Sequence, residues 1–364
     1  MSSPRFGVWA PVYGSWGSRH HPDDPPDAGY ERTRELVRLA ERLGFDSVLL
    51  AEHIVNPQRP DFDILETWTA AAAVADATER LEVIAAVKPL LFHPGVLAKQ
   101  AIAIDRISGG RFAVNLVSAW FQPEMRQLGI EMPPHDERYR YSDEWLSVVK
   151  ALWRGGPVEH HGEHFDIAGL DLRPGPVQAG GPTVYFGGES EVARELAARA
   201  ADVFFINGRP LAQTVELIAD LRRRPREGAA LRFGLSAFVI ARPTQREAEA
   251  ELDRLQTLAD VDDRSAVVAG TDPEAAMHKV NAGVPRVGTN GGTLAGLVGS
   301  YDRVAERIAE FSTAGIELFM LQFQPLEAEL VRFAVEVLPR VRNRTHSTAS
   351  TEAPLRRLPQ GVSS

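Results

Sequence analysis

The chain has 364 residues, 44% of them hydrophobic and 24% charged, which suits a soluble globular protein with one large core. Its 49 acidic and 40 basic residues give a net charge of −9, so there is no cationic surplus to neutralise a nucleic acid backbone. The chain has no cysteine, which excludes disulfides, thiolate nucleophiles and cysteine-ligated metal centres.

The sequence shows no targeting or membrane-spanning pattern. The first residues lack a basic start followed by a long apolar run, and no stretch reaches the about 18 apolar residues of a membrane span. We therefore predict a cytoplasmic protein whose partners include neither a membrane nor a nucleic acid.

The first third of the chain alternates apolar runs with amphipathic segments. Strands are predicted at 6–12, 46–51, 81–87 and 111–117, and helices at 29–43, 64–77 and 95–107. Continuous apolar strands separated by helices are typical of a parallel sheet covered by helices.

The same alternation continues through the rest of the chain. A helix is predicted at 137–153, a hairpin at 158–167, strands at 184–187, 202–206, 232–241 and 316–322, and helices at 190–200, 211–223 and 325–341. The eight strands outside the hairpin predict an α/β fold, a (β/α)8 TIM barrel. A doubly wound sheet is the alternative, but the loop after the first strand lacks the G-x-G-x-x-G turn of a dinucleotide site.

Two segments interrupt this rhythm. Residues 260–300, between strands seven and eight, are rich in glycine and small residues, and we expect them to form a long lid insert. Residues 343–364 lack apolar periodicity and are expected to be a disordered tail. Residues 1–342 are then a single barrel domain.

Barrel enzymes place their sites at the carboxyl ends of the strands, so we considered the residues that follow each apolar run. These are Trp9–Trp16, Glu52, His53, Lys88–His93, Asn115, Ser118, Trp120, Gly187–Ser190, Asn207, Gly208, Gln322 and Gln324. The histidines have no tight metal-ligand spacing, the carboxylates are not paired, and the G-x-S-x-G and P-loop motifs are absent. We therefore predict no metal site and a polar, uncharged mouth that holds a large planar cofactor.

Several blocks carry a resemblance to a known family. They are Asp105–Phe121, His135–Tyr139, Tyr185–Ser190 and Phe204–Gly208. These blocks resemble the bacterial-luciferase-like monooxygenases, which use reduced flavin, and the similarity extends over about residues 5–342. Further blocks at Val83–Val87, Pro94–Lys99 and Ala237–Arg242 are similar to the dimethyl sulfone monooxygenase branch.

The resemblance implies a two-component enzyme. FMN would bind at the strand ends as FMNH2 supplied by a separate NAD(P)H:FMN reductase, and O2 would oxygenate a small organosulfur compound. Dimethyl sulfone would give methanesulfinate and formaldehyde. By the same resemblance, Glu52 and His53 lie along the isoalloxazine ring, Asn115 and Glu124 bond its edge, Arg138 and Tyr139 hold the ribityl chain and phosphate, and Gly188 and Ser190 bind the phosphate. A homo-oligomer is also expected.

The predicted seventh strand, 232–241, contains two residues that indicate the charge of the substrate. Alkanesulfonate monooxygenases carry an arginine and a histidine where this chain has Ser236 and Phe238, so the resemblance favours a neutral sulfone and gives these two residues and His53 catalytic roles. Alkanesulfonate monooxygenase, a pyrimidine-type oxygenase and a non-catalytic flavin-binding protein stay open as alternatives. Ser190 is explained first as a helix cap and second as a phosphate ligand, and the alternative for His53 is a buried histidine that stacks on Trp68.

Overall fold

The computed structural model describes residues 3–58, 61–262, 269–272 and 286–350, with side chains up to Arg344. Residues 263–268 and 273–285 of the predicted insert, and 351–364 of the predicted tail, lie outside the described residues. Within the described ranges, no helix combines the length and apolarity that crossing a bilayer requires.

Eight parallel strands close into a barrel, which confirms the predicted (β/α)8 fold. The barrel strands are β1 (Arg5–Trp9), β2 (Ser47–Leu50), β3 (Glu82–Val87), β4 (Phe112–Leu116), β7 (Thr183–Phe186), β8 (Val203–Ile206), β9 (Arg232–Phe238) and β12 (Ile316–Gln322). Two small sheets lie outside the barrel: the predicted hairpin, β5 (Val158–His161) with β6 (Asp166–Leu170), and the parallel pair β10 (Ile240–Arg242) and β11 (Val298–Ser300).

Helices connect the strands. They are α1 (Tyr30–Arg42), α2 (Thr67–Ala77), α3 (Pro94–Ile107), α4 (Gln122–Gln127), α5 (His135–Arg154), α6 (Glu191–Ala200), α7 (Leu211–Arg223), α8 (Gln245–Ala259), α9 (Tyr301–Ala314), α10 (Leu326–Arg332) and α11 (Leu338–Ser350). Short 3-10 turns occur at Pro89–Leu91 and Gly292–Ala295, and a π turn at Phe333–Val337. Side chains set several helix starts: Glu66 accepts from the first-turn N–H groups of α2, and Thr244 forms a capping box with Glu247 at α8.

Contacts across the barrel show which side chains face its interior. The rings of Trp9 on β1 and Phe205 on β8 lie 6.2 Å apart, although these strands are not neighbours. Tyr185 on β7 donates a hydrogen bond of 2.9 Å to Glu82 on β3, and Arg5 on β1 bonds the same carboxylate at 2.8 Å. Because side chains alternate between the two faces of a strand, residues two positions before or after these contacts on the same strand also point inward.

Two predicted boundaries differ from the structure. The predicted seventh strand, 232–241, is divided: β9 ends at Phe238, and Ile240 donates its backbone N–H to Leu297, so the chain leaves the barrel and pairs with β11. The insert is therefore larger than predicted and includes α8. The last helix continues to Ser350, beyond the predicted start of the tail at residue 343, because no glycine or proline stands between Pro339 and Pro354 to end it.

Candidate functional site

Among the described residues, the buried polar atoms without a hydrogen-bond partner include three on the inner face of the barrel, at the carboxyl ends of its strands. They are Trp9 Nε1, Asn115 Oδ1 and Ser236 Oγ. Asn115 is in register with the inward-facing Tyr185, and Ser236 is in register with Met320, next to Gly7 on the inner face of β1. A buried polar atom without a partner is destabilising, so this group suits a ligand that offers the missing hydrogen bonds.

Aromatic side chains form a wall beside these atoms. The Trp9 and Trp16 rings are 5.0 Å apart, and Tyr13 lies 5.0 Å from Trp16 and 5.7 Å from His53. Trp120 meets the other side of the His53 ring at 5.4 Å. Flat, apolar surfaces of this kind suit a planar ring system.

A buried ionic group, here called the Lys88 cluster, consists of Glu52, His53, Lys88 and Glu124. Lys88 Nζ contacts Glu124 Oε2 and lies 3.0 Å from His53 Nδ1, while Glu124 Oε1 lies 3.2 Å from the same nitrogen. The backbone N–H of Lys88 donates to Glu52 Oε2 at 2.6 Å. The structure thus brings three of the predicted flavin residues together around a lysine to which the sequence assigned no role.

Burial and pairing set the charges in the Lys88 cluster. Burial raises the pKa of Glu52 to about 8, so its carboxyl is mostly neutral at pH 7. Burial and the neighbouring ammonium of Lys88 lower the pKa of His53 to about 4, so its ring is neutral too. Burial opposes the ionisation of Glu124, but the bonds and charges of His53 and Lys88 outweigh it and hold that pKa at about 2.

The predicted phosphate residues form a second group at the start of α6. Ser190 is the N-cap of this helix and accepts from Ala193 N–H at 3.4 Å, which agrees with the capping interpretation. Tyr139 shares a side-chain hydrogen bond with Ser190, and a Cβ at Gly188 would stand only 3.1 Å from the tyrosine oxygen. The free N–H groups of the helix start and the small Gly188 suit an anion at this point.

Arg138 precedes Tyr139 on α5, and its side chain is already bonded within the protein. Its Nη1 donates to the carbonyl of Pro133 at 2.8 Å, and its Nη2 forms an ion pair with Asp272. A second buried pair joins Arg209 to Glu189. Sequence analysis missed Asp272 and Arg209, and it included Glu189 only as part of the turn Gly187–Ser190, without its ion pair.

The two predicted substrate residues on β9 have different surroundings. Ser236 is fully buried with a free hydroxyl, as described above. Phe238 is also fully buried and packs in a small apolar cluster under the insert with Ile240, Ala248, Leu255 and Val287. The Cα of Gly288 approaches the phenyl ring so closely that a Cβ there would lie 2.6 Å from it. This packing explains the ring of Phe238 without a ligand.

A cavity of about 550 Å³ lies at the opposite, amino-terminal end of the barrel. Its wall carries both charge signs, and the side chains are bonded to the protein itself: Arg5 pairs with Glu82, and Arg111 donates to Ser108, Leu81 and other groups of the barrel base. In barrels, this end contributes stability and the other end carries chemistry. We therefore place the site at the carboxyl ends of the strands.

The sequence offered a signal for only some of the missed residues. Lys88 directly follows an apolar strand, and a lysine at such a position is rarely buried without a partner. Asp272 lies in the insert, where no periodicity indicates its contact with Arg138. In the described ranges, no group of three or more His, Cys, Asp or Glu side chains is arranged to hold a metal ion.

Comparison with known proteins agrees with this fold. The profile of the luciferase-like monooxygenases matches residues 5–318, and the chain belongs to that family. It is 33% identical to the FMNH2-dependent dimethylsulfone monooxygenase of Pseudomonas putida, over 94% of this chain and 96% of that protein. The protein of the same name from Pseudomonas fluorescens (strain Pf0-1) is 31% identical, over 93% of this chain and 94% of the relative.

Solved structures show the same fold at lower sequence identity. The long-chain alkane monooxygenase LadA superposes with a TM-score of 0.80 at 21% identity, over 95% of this chain and 92% of LadA. DmoA from Hyphomicrobium sulfonivorans gives a TM-score of 0.78 at 19% identity, over 94% of this chain and 89% of DmoA.

Proposed function

We propose that this protein is an FMNH2-dependent monooxygenase that oxygenates a small, neutral organosulfur compound, dimethyl sulfone being the first candidate. Two relatives with that named activity, similar over more than nine-tenths of the chain, support the proposal. A separate NAD(P)H:FMN reductase supplies the reduced flavin, since the chain lacks the glycine-rich turn of a nicotinamide site.

The residues at the carboxyl ends of the strands fit FMN. The aromatic wall and the unpartnered atoms of Trp9 and Asn115 suit the ring system, and the start of α6 with Gly188 and Ser190 suits the phosphate. When bound, the reduced flavin supplies the electrons with which O2 is activated. Arg138 and Tyr139 of α5 would bind the phosphate and the ribityl chain, and Tyr139 already shares a hydrogen bond with Ser190 at the start of α6.

The chain's own residues bind, orient and shield the reactants. The aromatic wall excludes water from the cleft, and the free hydroxyl of Ser236 is available to bond a substrate oxygen. The neutral ring of His53 and the neutral carboxyl of Glu52 add polar groups without adding charge. Phe238, held under the insert, bounds this part of the barrel.

The pairing of the buried cations supports a neutral substrate over an anionic one. Among the described residues, the buried lysine and arginine side chains are Lys88, Arg138 and Arg209. They pair with the buried carboxylates Glu124, Asp272 and Glu189, respectively. Each of the three cations is therefore already neutralised by a carboxylate of the protein. Within the described ranges, a sulfonate would therefore meet no buried cation that lacks a carboxylate partner, and burial of an uncompensated anion is destabilising by several kcal/mol.

Oxygen consumption with enzymatically reduced FMN tests this function. Dimethyl sulfone is expected to be consumed with higher kcat/KM than methanesulfonate, and formaldehyde should form in step with the oxygen used. The double variant Ser236→Arg with Phe238→His is expected to shift the preference toward methanesulfonate. Equal or better turnover of methanesulfonate by the wild type would contradict the neutral-substrate proposal. Tight binding of FMNH2 without turnover of sulfones, sulfonates or pyrimidines would favour a non-catalytic flavin-binding protein.

A further inference from the structure

Lys88 is the central residue of the Lys88 cluster. It follows β3 and is 1% exposed. Its ammonium contacts Glu124 Oε2 and lies 3.0 Å from His53 Nδ1. The ring of His53 is held from one side by this ammonium and packs against Tyr13 and Trp120 on others.

Two groups compete for the same nitrogen of His53. An ammonium has three donors and no acceptor, so a lysine bonded to Nδ1 requires that this nitrogen carry no proton. Glu124 Oε1, 3.2 Å from Nδ1, is only an acceptor and would require a proton there. Because a neutral imidazole carries one proton, the two partners favour opposite tautomers.

The remaining contacts of Glu124 decide between them. Its Oε1 already accepts the backbone N–H of Ile54 at 2.6 Å, and its Oε2 accepts from Lys88. The carboxylate is therefore satisfied without a proton from His53. If Nδ1 carried a proton, that N–H would face the ammonium at 3.0 Å and the two donors would repel each other.

We infer that Lys88 fixes His53 in the tautomer protonated at Nε2, so that the ring offers the cleft a hydrogen-bond donor and not a proton acceptor. Lys88 is a positioning residue in this arrangement, because it acts on the cleft through His53. In the described part of the chain, no residue bonds Nε2, which leaves this N–H for a ligand. What it meets there, flavin or substrate, rests on the proposed function; the tautomer itself does not.

The other titratable groups near His53 do not change this assignment. Glu52 precedes it in the chain and bonds the backbone of Lys88, and Glu66 at the start of α2 acts on Glu52 from farther away. Burial and the charges of Glu124 and Glu52 raise the pKa of Tyr13 well above its usual range, so this phenol stays neutral. The ammonium and Glu124 are the charged partners within hydrogen-bond distance of the ring.

Nitrogen NMR of flavin-free protein labelled at the histidine nitrogens tests the inference directly. The His53 signals are assigned by their loss in His53→Asn. In the wild type, we expect a protonated Nε2 and a bare Nδ1. In Lys88→Met, which keeps the chain length and removes the charge, Nδ1 becomes free to donate to Glu124. The tautomer should then reverse, and the titration midpoint of the ring should rise by about one pH unit or more.

Two further variants keep the test decisive. Glu124→Gln retains Lys88 and should leave the proton on Nε2, whereas control by Glu124 would change the tautomer. Lys150→Met is the control: it removes a different lysine, which is half-buried and bonds the carbonyl of Ala200, and it should leave the His53 signals unchanged. A proton on Nδ1 in the wild type would overturn the inference, and so would identical His53 signals in wild type and a folded Lys88→Met. Because no turnover is measured, failure of the proposed function would leave this result standing.

Discussion

Glu52 carries a carboxyl group in an unusual setting. One oxygen accepts from the backbone of Lys88 and the other is buried without a partner. Burial is the main cause of its raised pKa, and the ammonium of Lys88 only partly offsets that effect. The folded protein therefore holds this proton over a pH range in which the unfolded chain releases it.

Replacement of Glu52 by glutamine is predicted to remove a pH dependence of stability. The folded-state pKa of about 8 lies above the ordinary value of 4.5, so the stabilisation by this proton is complete below about pH 4.5 and is lost as the pH rises through 8. Between these limits, the wild type should lose up to about 1.4 kcal/mol of unfolding free energy per pH unit relative to Glu52→Gln. Urea unfolding of both proteins from pH 5 to 9 measures this difference, and parallel curves would show that Glu52 is ionised in the folded state.

The sequence indicated individual site residues better than their partners. Glu52, His53 and Glu124 were singled out by motif and position, and the structure groups them. Their shared partner Lys88, however, is set by geometry between separate strands and a loop. The pair Arg138 and Asp272 joins residues 134 positions apart, and no local pattern encodes such a contact.

The turn between β7 and α6 contains two glycines, Gly187 and Gly188, which differ in the space available for a side chain. A Cβ at Gly188 would stand 2.8 Å from the Cβ of Ala193, 3.0 Å from the ring of Phe186 and 3.1 Å from the hydroxyl of Tyr139. A Cβ at Gly187 would meet only the carbonyl of Phe205, at an ordinary 3.5 Å, and another part of that residue at 4.0 Å. The turn therefore has room for a side chain at one glycine and not at its neighbour.

Alanine substitutions at the two glycines are predicted to have unequal effects. Gly188→Ala overpacks the helix start and should lower the free energy of unfolding by about 1–3 kcal/mol. It should also weaken FMN binding, because Tyr139 is pushed from its bond with Ser190. Gly187→Ala, the matched control, should leave the unfolding free energy close to that of the wild type. Chemical unfolding and flavin titration of the three proteins measure both effects, and equal losses in the two variants would contradict this account of the turn.

Element types were predicted better than element ends. The division of the predicted strand 232–241 at Val239 could not be seen in the sequence, because the run from Phe233 to Ala241 is apolar or small throughout. The break is caused by a change of partner: Val239 still donates its N–H to Gln322 of the barrel, but from Ile240 onward the backbone bonds the insert and pairs with β11. A uniform apolar run encodes burial but not which neighbour provides it.

A buried network of polar side chains connects the loop after β1 with the residues that follow β12. Asp24 is fully buried; it accepts from Arg32 at 2.6 Å, from Ser15 at 2.9 Å and from Gln324 at 3.0 Å. Arg32 also bonds Glu327 near the start of α10 at 2.7 Å. Residues that follow the first and the last strand of the barrel thus share one set of hydrogen bonds.

Removal of Asp24 is predicted to destabilise the whole barrel. Asp24→Ala leaves the guanidinium of Arg32 with one carboxylate partner, Glu327, and takes one acceptor each from Ser15 and Gln324. Loss of the buried ion pair should lower the unfolding free energy by about 3–5 kcal/mol. Asp23→Ala changes an exposed carboxylate next to it and should have little effect. Guanidinium unfolding of both variants measures the difference. A change below about 1 kcal/mol in Asp24→Ala would mean that water replaces the lost bonds.

The barrel itself was predictable because its strands are buried on both faces and form continuous apolar runs at regular spacing. Their order around the barrel follows from the right-handed connection of successive parallel strands. The cross-barrel contacts were not predictable, since Trp9 and Phe205 meet only after all the strands between them are in place.

The barrel closes only when its last strand, β12, pairs with its first strand, β1, and this affects the protein during its synthesis. Val8 on β1 is in register with Leu321 on β12, so the sheet stays an open ribbon until the segment around Leu321 has left the ribosome. Until then, β1 and β9 both present unpaired backbone groups, which invite pairing with another nascent chain. Fragments that end before Ile316 keep these two edges permanently, and expression of such fragments would yield aggregates instead of a smaller folded unit.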